Sequence, residues 1–116
     1  WFRNSKYFVA DEKPQYEVSV DFLKNQKFWC HAKNQLALAE MLKNDIHCFW
    51  HQKDKVTLTS KNYIWAYPGN LLLKNGIDVM PENIKGWKVE KYNPPSIGVC
   101  SDFIECIFNN SLKNVG

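Results

Sequence analysis

Apolar and polar residues alternate with a period of two through much of this chain, and at two places the period lengthens to that of a helix. Lys6 to Ala10 reads as a first strand, followed by a turn at Pro14. In Tyr16 to Leu23, Tyr16, Val18, Val20 and Phe22 fall on one side and Glu17, Ser19 and Asp21 on the other, which predicts a second strand. Gln26 to Ala32 follows almost at once, so the two segments should form a hairpin. A three-residue loop, Lys24 to Gln26, opposes Phe22 to Phe28, Val20 to Cys30 and Val18 to Ala32, apolar against apolar. A two-residue loop would set Phe22 against Lys27 instead, so the longer loop is the expectation, with Asn25 supplying a left-handed residue.

Asn34 then caps a helix that runs to Asn44, with Leu38, Met41 and Leu42 as its apolar stripe and Leu36 and Ala37 at the flanks. Ile46 to Gln52 alternates again. The thirteen residues between the two strands suffice for a crossover, which predicts parallel pairing of 26–32 with 46–52. Val56 to Thr59 and Tyr63 to Tyr67 read as an antiparallel pair, and Asn70 as the cap of a short helix over "LLLKN" ended by Gly76. After Pro81 one helical turn is expected, then a late strand, Trp87 to Tyr92. Asp102 with Glu105 three residues on is a capping-box pattern for a last helix that buries Ile104, Ile107, Phe108 and Leu112. The fold class expected is α+β: residues 1–116 as a single two-layer domain, with a mixed, mostly antiparallel sheet of five or six strands and two main helices.

Composition narrows the function classes. The net charge is +3, carried by lysines spread along the chain and by one arginine, Arg3, so no basic stripe of the kind a dedicated nucleic-acid binder uses is visible. Twelve asparagines accompany the lysines, a pairing that AT-rich codons also produce. No apolar run reaches the length of a membrane span. The four cysteines, Cys30, Cys48, Cys100 and Cys106, include no CxxC pair and read as buried free thiols, which points to a reducing, cytoplasmic setting. Seventeen aromatic rings are more than one small core needs, and rings left outside would make a contact surface.

The parallel pair decides which chemistry is thinkable. One face carries Phe28, Cys30, Ala32, Ile46, Cys48 and Trp50 and should take the helix. The other carries Trp29, His31, His47, Phe49 and His51, with Ser19 and Asp21 added by the hairpin register. His47 and His51 lie four apart, about 13 Å along a strand, whereas zinc holds its ligand nitrogens at about 2 Å, so the two cannot share one metal; His31 with one of them and Asp21 is the combination left, and no metal and no cofactor is assigned. Ser19, Asp21, His31 and His47 form the candidate catalytic set, with histidines as acid and base, although no nucleophile elbow or phosphate-cradling loop accompanies them. The run from "VSVDF" to "HCFWH" resembles the opening elements of haloacid-dehalogenase-type hydrolases. That chemistry requires a second aspartate where Leu23 stands, so the family is set aside. Trp29, Phe49, His51, Tyr63, Trp65 and Tyr67 form the candidate partner-binding set.

The expected function is a small protein-binding module, an inhibitor or toxin-neutralising immunity-type protein, with another protein as partner. The alternative is a small histidine-dependent, metal-independent nuclease or hydrolase. The third reading is a single-stranded nucleic-acid binder, built on rings and lysines.

Overall fold

The computed structural model describes residues 1–71 and 75–115, the last five through their backbone alone. The chain is mixed α+β, and its strands are divided among a three-stranded, a two-stranded and a four-stranded sheet rather than gathered in one. It clusters into two compact units, residues 1–53 with 58–62, and residues 54–57 with 63–116.

In the first unit, β1 (Phe2–Arg3), β2 (Lys6–Val9) and β3 (Tyr16–Val18) form an antiparallel sheet, with Tyr7 opposite both Phe2 and Val18. The turn between β1 and β2 places Asn4 and Ser5 at positive φ, the conformation that matches strand twist in tight hairpins. Here the sequence reading is corrected. The strand expected over 16–23 stops at Val18, and Ser19 becomes the cap of a short helix, α1 (Val20–Leu23), accepting the Phe22 N–H at 3.1 Å. A serine hydroxyl that satisfies a free helix N–H competes with the sheet ladder, and over four residues it wins. The 16–23/26–32 hairpin therefore does not form, and β3 pairs with β2 instead. Phe22 and Phe28 still meet, ring centroids 4.9 Å apart, through the helix rather than across a ladder.

β4 (Cys30–Ala32), α2 (Gln35–Lys43) and β5 (Cys48–Trp50) follow the expected crossover, and β4 and β5 pair in parallel with Cys30 opposite Cys48. Asn34 does more than start α2. Its Oδ1 accepts the Ala37 N–H at 3.1 Å and the Phe2 N–H at 3.0 Å, and its Nδ2 donates to the Phe2 carbonyl at 2.8 Å, tying the helix to β1. Ala37 and Met41 of α2 pack with Tyr7, Leu23, Ala32, Ile46 and Cys48 in one buried cluster. Leu36 and Leu42 lie outside the stripe and are exposed.

The second unit holds the sheet β6–β7–β8–β9, with β6 (Val56–Leu58), β7 (Ile64–Ala66), β8 (Ile77–Val79) and β9 (Gly98–Cys100). β7 with β8 and β8 with β9 are parallel, so parallel pairs are as much a part of this chain as antiparallel ones, against expectation. Gly76 allows β8 to lie beside β7, since a Cβ there would sit 2.6 Å from the Ile64 carbonyl oxygen. The helical turn after Pro81 is present as Pro81–Asn83. The strand expected over 87–92 is replaced by a 3-10 turn, Val89–Lys91. α3 (Ile104–Val115) is entered from Ser101 rather than Asp102: the Ser101 hydroxyl accepts the Phe103 N–H and donates to Glu82. Ile107 is buried, while Ile104 and Phe108 are exposed. The middle of the helix expected over 71–75, residues 72–74, and the buried role expected for the Leu112 side chain lie outside what the structure describes.

Candidate functional site

The parallel pair β4–β5 sets the geometry. Because side chains alternate, Trp29 lies across from His47 and His31 across from Phe49, and their rings meet at centroid distances of 4.3 Å and 4.9 Å. His51 closes on His31 edge-on at 6.1 Å. The expected grouping of Trp29, His31, His47, Phe49 and His51 on one face is therefore present.

What these groups are occupied with is a tertiary matter. His31 Nε2 lies 3.0 Å from the His51 carbonyl oxygen. A carbonyl only accepts, so this nitrogen carries the proton in neutral His31. His47 Nε2 lies 2.8 Å from Thr59 Oγ1. Burial depresses both imidazole pKa values below 6.5; the His51 carbonyl partly opposes this at His31, and Lys61 adds to it at His47. Phe49 corrects the reading: at 4% exposure it is core, not a contact ring. Strands in parallel pairs are commonly buried on both faces, and Cys48 beside it is at 1%.

Ser19 and Asp21 do not join the histidines through a strand ladder, because His31 pairs with Phe49, Ser19 caps α1, and Asp21 is exposed in the first turn of α1. Tyr63, Trp65 and Tyr67 belong to the second unit. Tyr63 is 40% exposed; Trp65 and Tyr67 are half-buried, and burial raises the pKa of the Tyr67 phenol, with the neighbouring Trp65 partly opposing the rise. Among the described residues no group of three His, Cys, Asp or Glu side chains could hold a metal ion. Among the described residues no helix is long and apolar enough to cross a membrane.

One feature of the first unit had no signal in the sequence. A cavity of about 450 Å³ opens beside β4. Trp29 and His31 line it, with Phe8, Phe22 and Phe28 as further walls and Ala37 and Met41 at its deep end. The two charged lining residues are Lys27 and Lys33, and no carboxylate lines it. Lys33 is paired with Asp11 at 3.1 Å, while Lys27 is exposed. Phe8, Lys27 and Lys33 come from three separate segments, so no local pattern could have joined them. Cys30 also lines the cavity, but burial and the neighbouring Cys48 push its thiol up to about 11, which keeps it protonated and unreactive. Comparison with family models, with curated proteins and with solved structures finds no match for this chain.

Proposed function

We propose that this chain is a small protein-binding module, acting in the manner of an inhibitor or a toxin-neutralising immunity protein, with Trp29 as the anchor of its contact site. The observation that carries the reading is the cavity beside Trp29. A concave apolar space of about 450 Å³ falls in the range of binding pockets, roughly 300–1,000 Å³. An aromatic ring at such a mouth has the character of an interface hot spot. His51, in the same unit, is carried in the proposal as a further contact, and Tyr63, Trp65 and Tyr67 of the second unit are carried as a separate candidate contact group.

Binding is favoured over the hydrolase alternative because both inward imidazoles are engaged, His31 with the His51 carbonyl and His47 with Thr59. Those bonds hold the rings in place and leave less freedom for proton transfer to a substrate.

The test is capture from an extract of the producing organism on immobilised wild-type chain and on Trp29→Ala, side by side. The protein retained by the wild type is identified, purified and titrated. Truncating a hot-spot ring costs about 2 kcal/mol, so affinity should fall roughly 30-fold. Equal affinity of the two would overturn the reading. So would turnover of RNA or an ester that His31→Ala abolishes while the fold persists.

A further inference from the structure

We infer that the outer edge of β4 is a strand-addition site: an extended segment of a partner protein pairs with that edge, lays apolar side chains in the cavity, and sets a carboxylate beside Lys27. This rests on the protein-binding reading above and names the kind of partner segment.

The backbone makes the first part of the case. Cys30 N–H donates to the His47 carbonyl at 2.9 Å, so Cys30 turns its backbone polar groups toward β5. Successive residues of a strand alternate in this respect, so His31 turns its N–H and carbonyl away from β5, to the outer edge. Among the described residues no strand pairs there, since the sheet they form consists of β4 and β5. The two edges of this small sheet are treated differently. On the β5 side, Ser60 covers Cys48 on both counts: its N–H donates to the Cys48 carbonyl at 2.8 Å, and its Oγ accepts the Cys48 N–H at 2.9 Å. A buried or half-buried edge left uncovered is a template for another strand.

The cavity makes the second part. It is lined by Cys30 and His31 of β4 and by Lys27, Phe28 and Trp29 of the segment that leads into it. Cys30 and His31 are neighbours in the strand and point to opposite faces, so a space that touches both of them faces the edge of the strand and not one of its sides. A strand added there would sit over the cavity mouth. At 450 Å³ the cavity is about three times the roughly 150 Å³ that holds a benzene-sized group, so it admits more than one side chain from a short segment.

Charge makes the third. The first unit carries nine lysines and arginines against six aspartates and glutamates, whereas the second carries six of each. The whole positive excess therefore belongs to the unit with the cavity, and the cavity lining is itself basic. An apolar segment flanked by Asp or Glu complements it.

The test pans a phage-displayed library of random linear twelve-residue peptides on the full chain. Enriched peptides are resynthesised and titrated against wild type, Trp29→Ala and Lys27→Glu, the last being an exposed position that leaves the fold intact. Each peptide is also made with single N-methyl groups along its backbone. The expected peptides alternate apolar residues and carry acids. They lose at least tenfold on N-methylation at every second position, are spared at the positions between, and weaken several-fold on Lys27→Glu. Peptides that depend on Trp29 but are indifferent to N-methylation everywhere overturn strand addition and leave the protein-binding reading standing. Failure to enrich any Trp29-dependent peptide, or tighter binding of a twelve-residue oligothymidylate or of the dye 1-anilinonaphthalene-8-sulfonate, overturns both. Concentration-dependent dimerisation of the chain that the peptides cannot displace makes a second copy the occupant and overturns the inference.

Discussion

Ala37→Leu fills the cavity from below without touching its mouth, and the sign of its effect on stability is decided by whether that space is vacant. Ala37 is 0% exposed on the buried side of α2 and lines the deep end. Leucine adds three carbons. If they enter vacant apolar space, each contributes about 0.8 kcal/mol, near 2.4 kcal/mol together. Fixing the longer side chain costs about 0.5–1 kcal/mol, and the small loss of helix propensity does not change the balance. The expected outcome is a gain of roughly 1.5 kcal/mol, or a melting temperature higher by about 6 °C. If the position were close-packed, the same change would overpack the core and cost about 1–3 kcal/mol. The two outcomes differ by about 2.5 kcal/mol or more, well beyond the error of a urea titration followed by circular dichroism. Partner or peptide affinity, measured on the same samples, should fall while stability rises. Destabilisation by 1 kcal/mol or more would refute the cavity, and with it the site built around it.

Asn34→Ala removes three hydrogen bonds and should lower stability by about 2–4 kcal/mol, where an ordinary cap costs about 1; a loss under 1 kcal/mol by urea titration would refute the tie between α2 and β1. Cys30, Cys48, Cys100 and Cys106 are free thiols, and a bulky maleimide should modify exposed Cys106 first and buried Cys48 only after unfolding; mass spectrometry showing Cys48 labelled early in the native protein would refute its place beneath α2. His31 and His47 are held below 6.5 by burial, so the unfolded chain binds more protons than the folded one as pH falls through 6.5. Their contribution to stability is therefore complete above that pH and is lost progressively below it, and His31→Gln should flatten the urea midpoint between pH 7 and pH 5 relative to wild type; an unchanged slope would refute the assignment.

The sequence by itself determined the elements whose signals are local. Asn34 and the apolar stripe through Met41 specify α2 to within a residue, because cap and periodicity act over one or two turns. The length of the α2 crossover forces β4 and β5 to be parallel, and alternation then places Trp29, His31 and His47 on one face. Where two local codes overlap, the pattern could not decide. "YEVSVDFL" alternates like a strand, yet Ser19 can cap and Val20 and Leu23 are spaced for a helical turn, with Leu23 ending at 7% exposure and Phe22 at 48%. The choice lay with β2, whose Tyr7 offers Val18 a partner. Phe49 was misplaced for a related reason: alternation says which face a ring is on but not whether that face is covered. The cavity and the open edge of β4 lie furthest from the sequence. They exist because residues from β2, α1, β4 and α2 stop short of one another, and a gap between distant segments leaves no mark on any one of them.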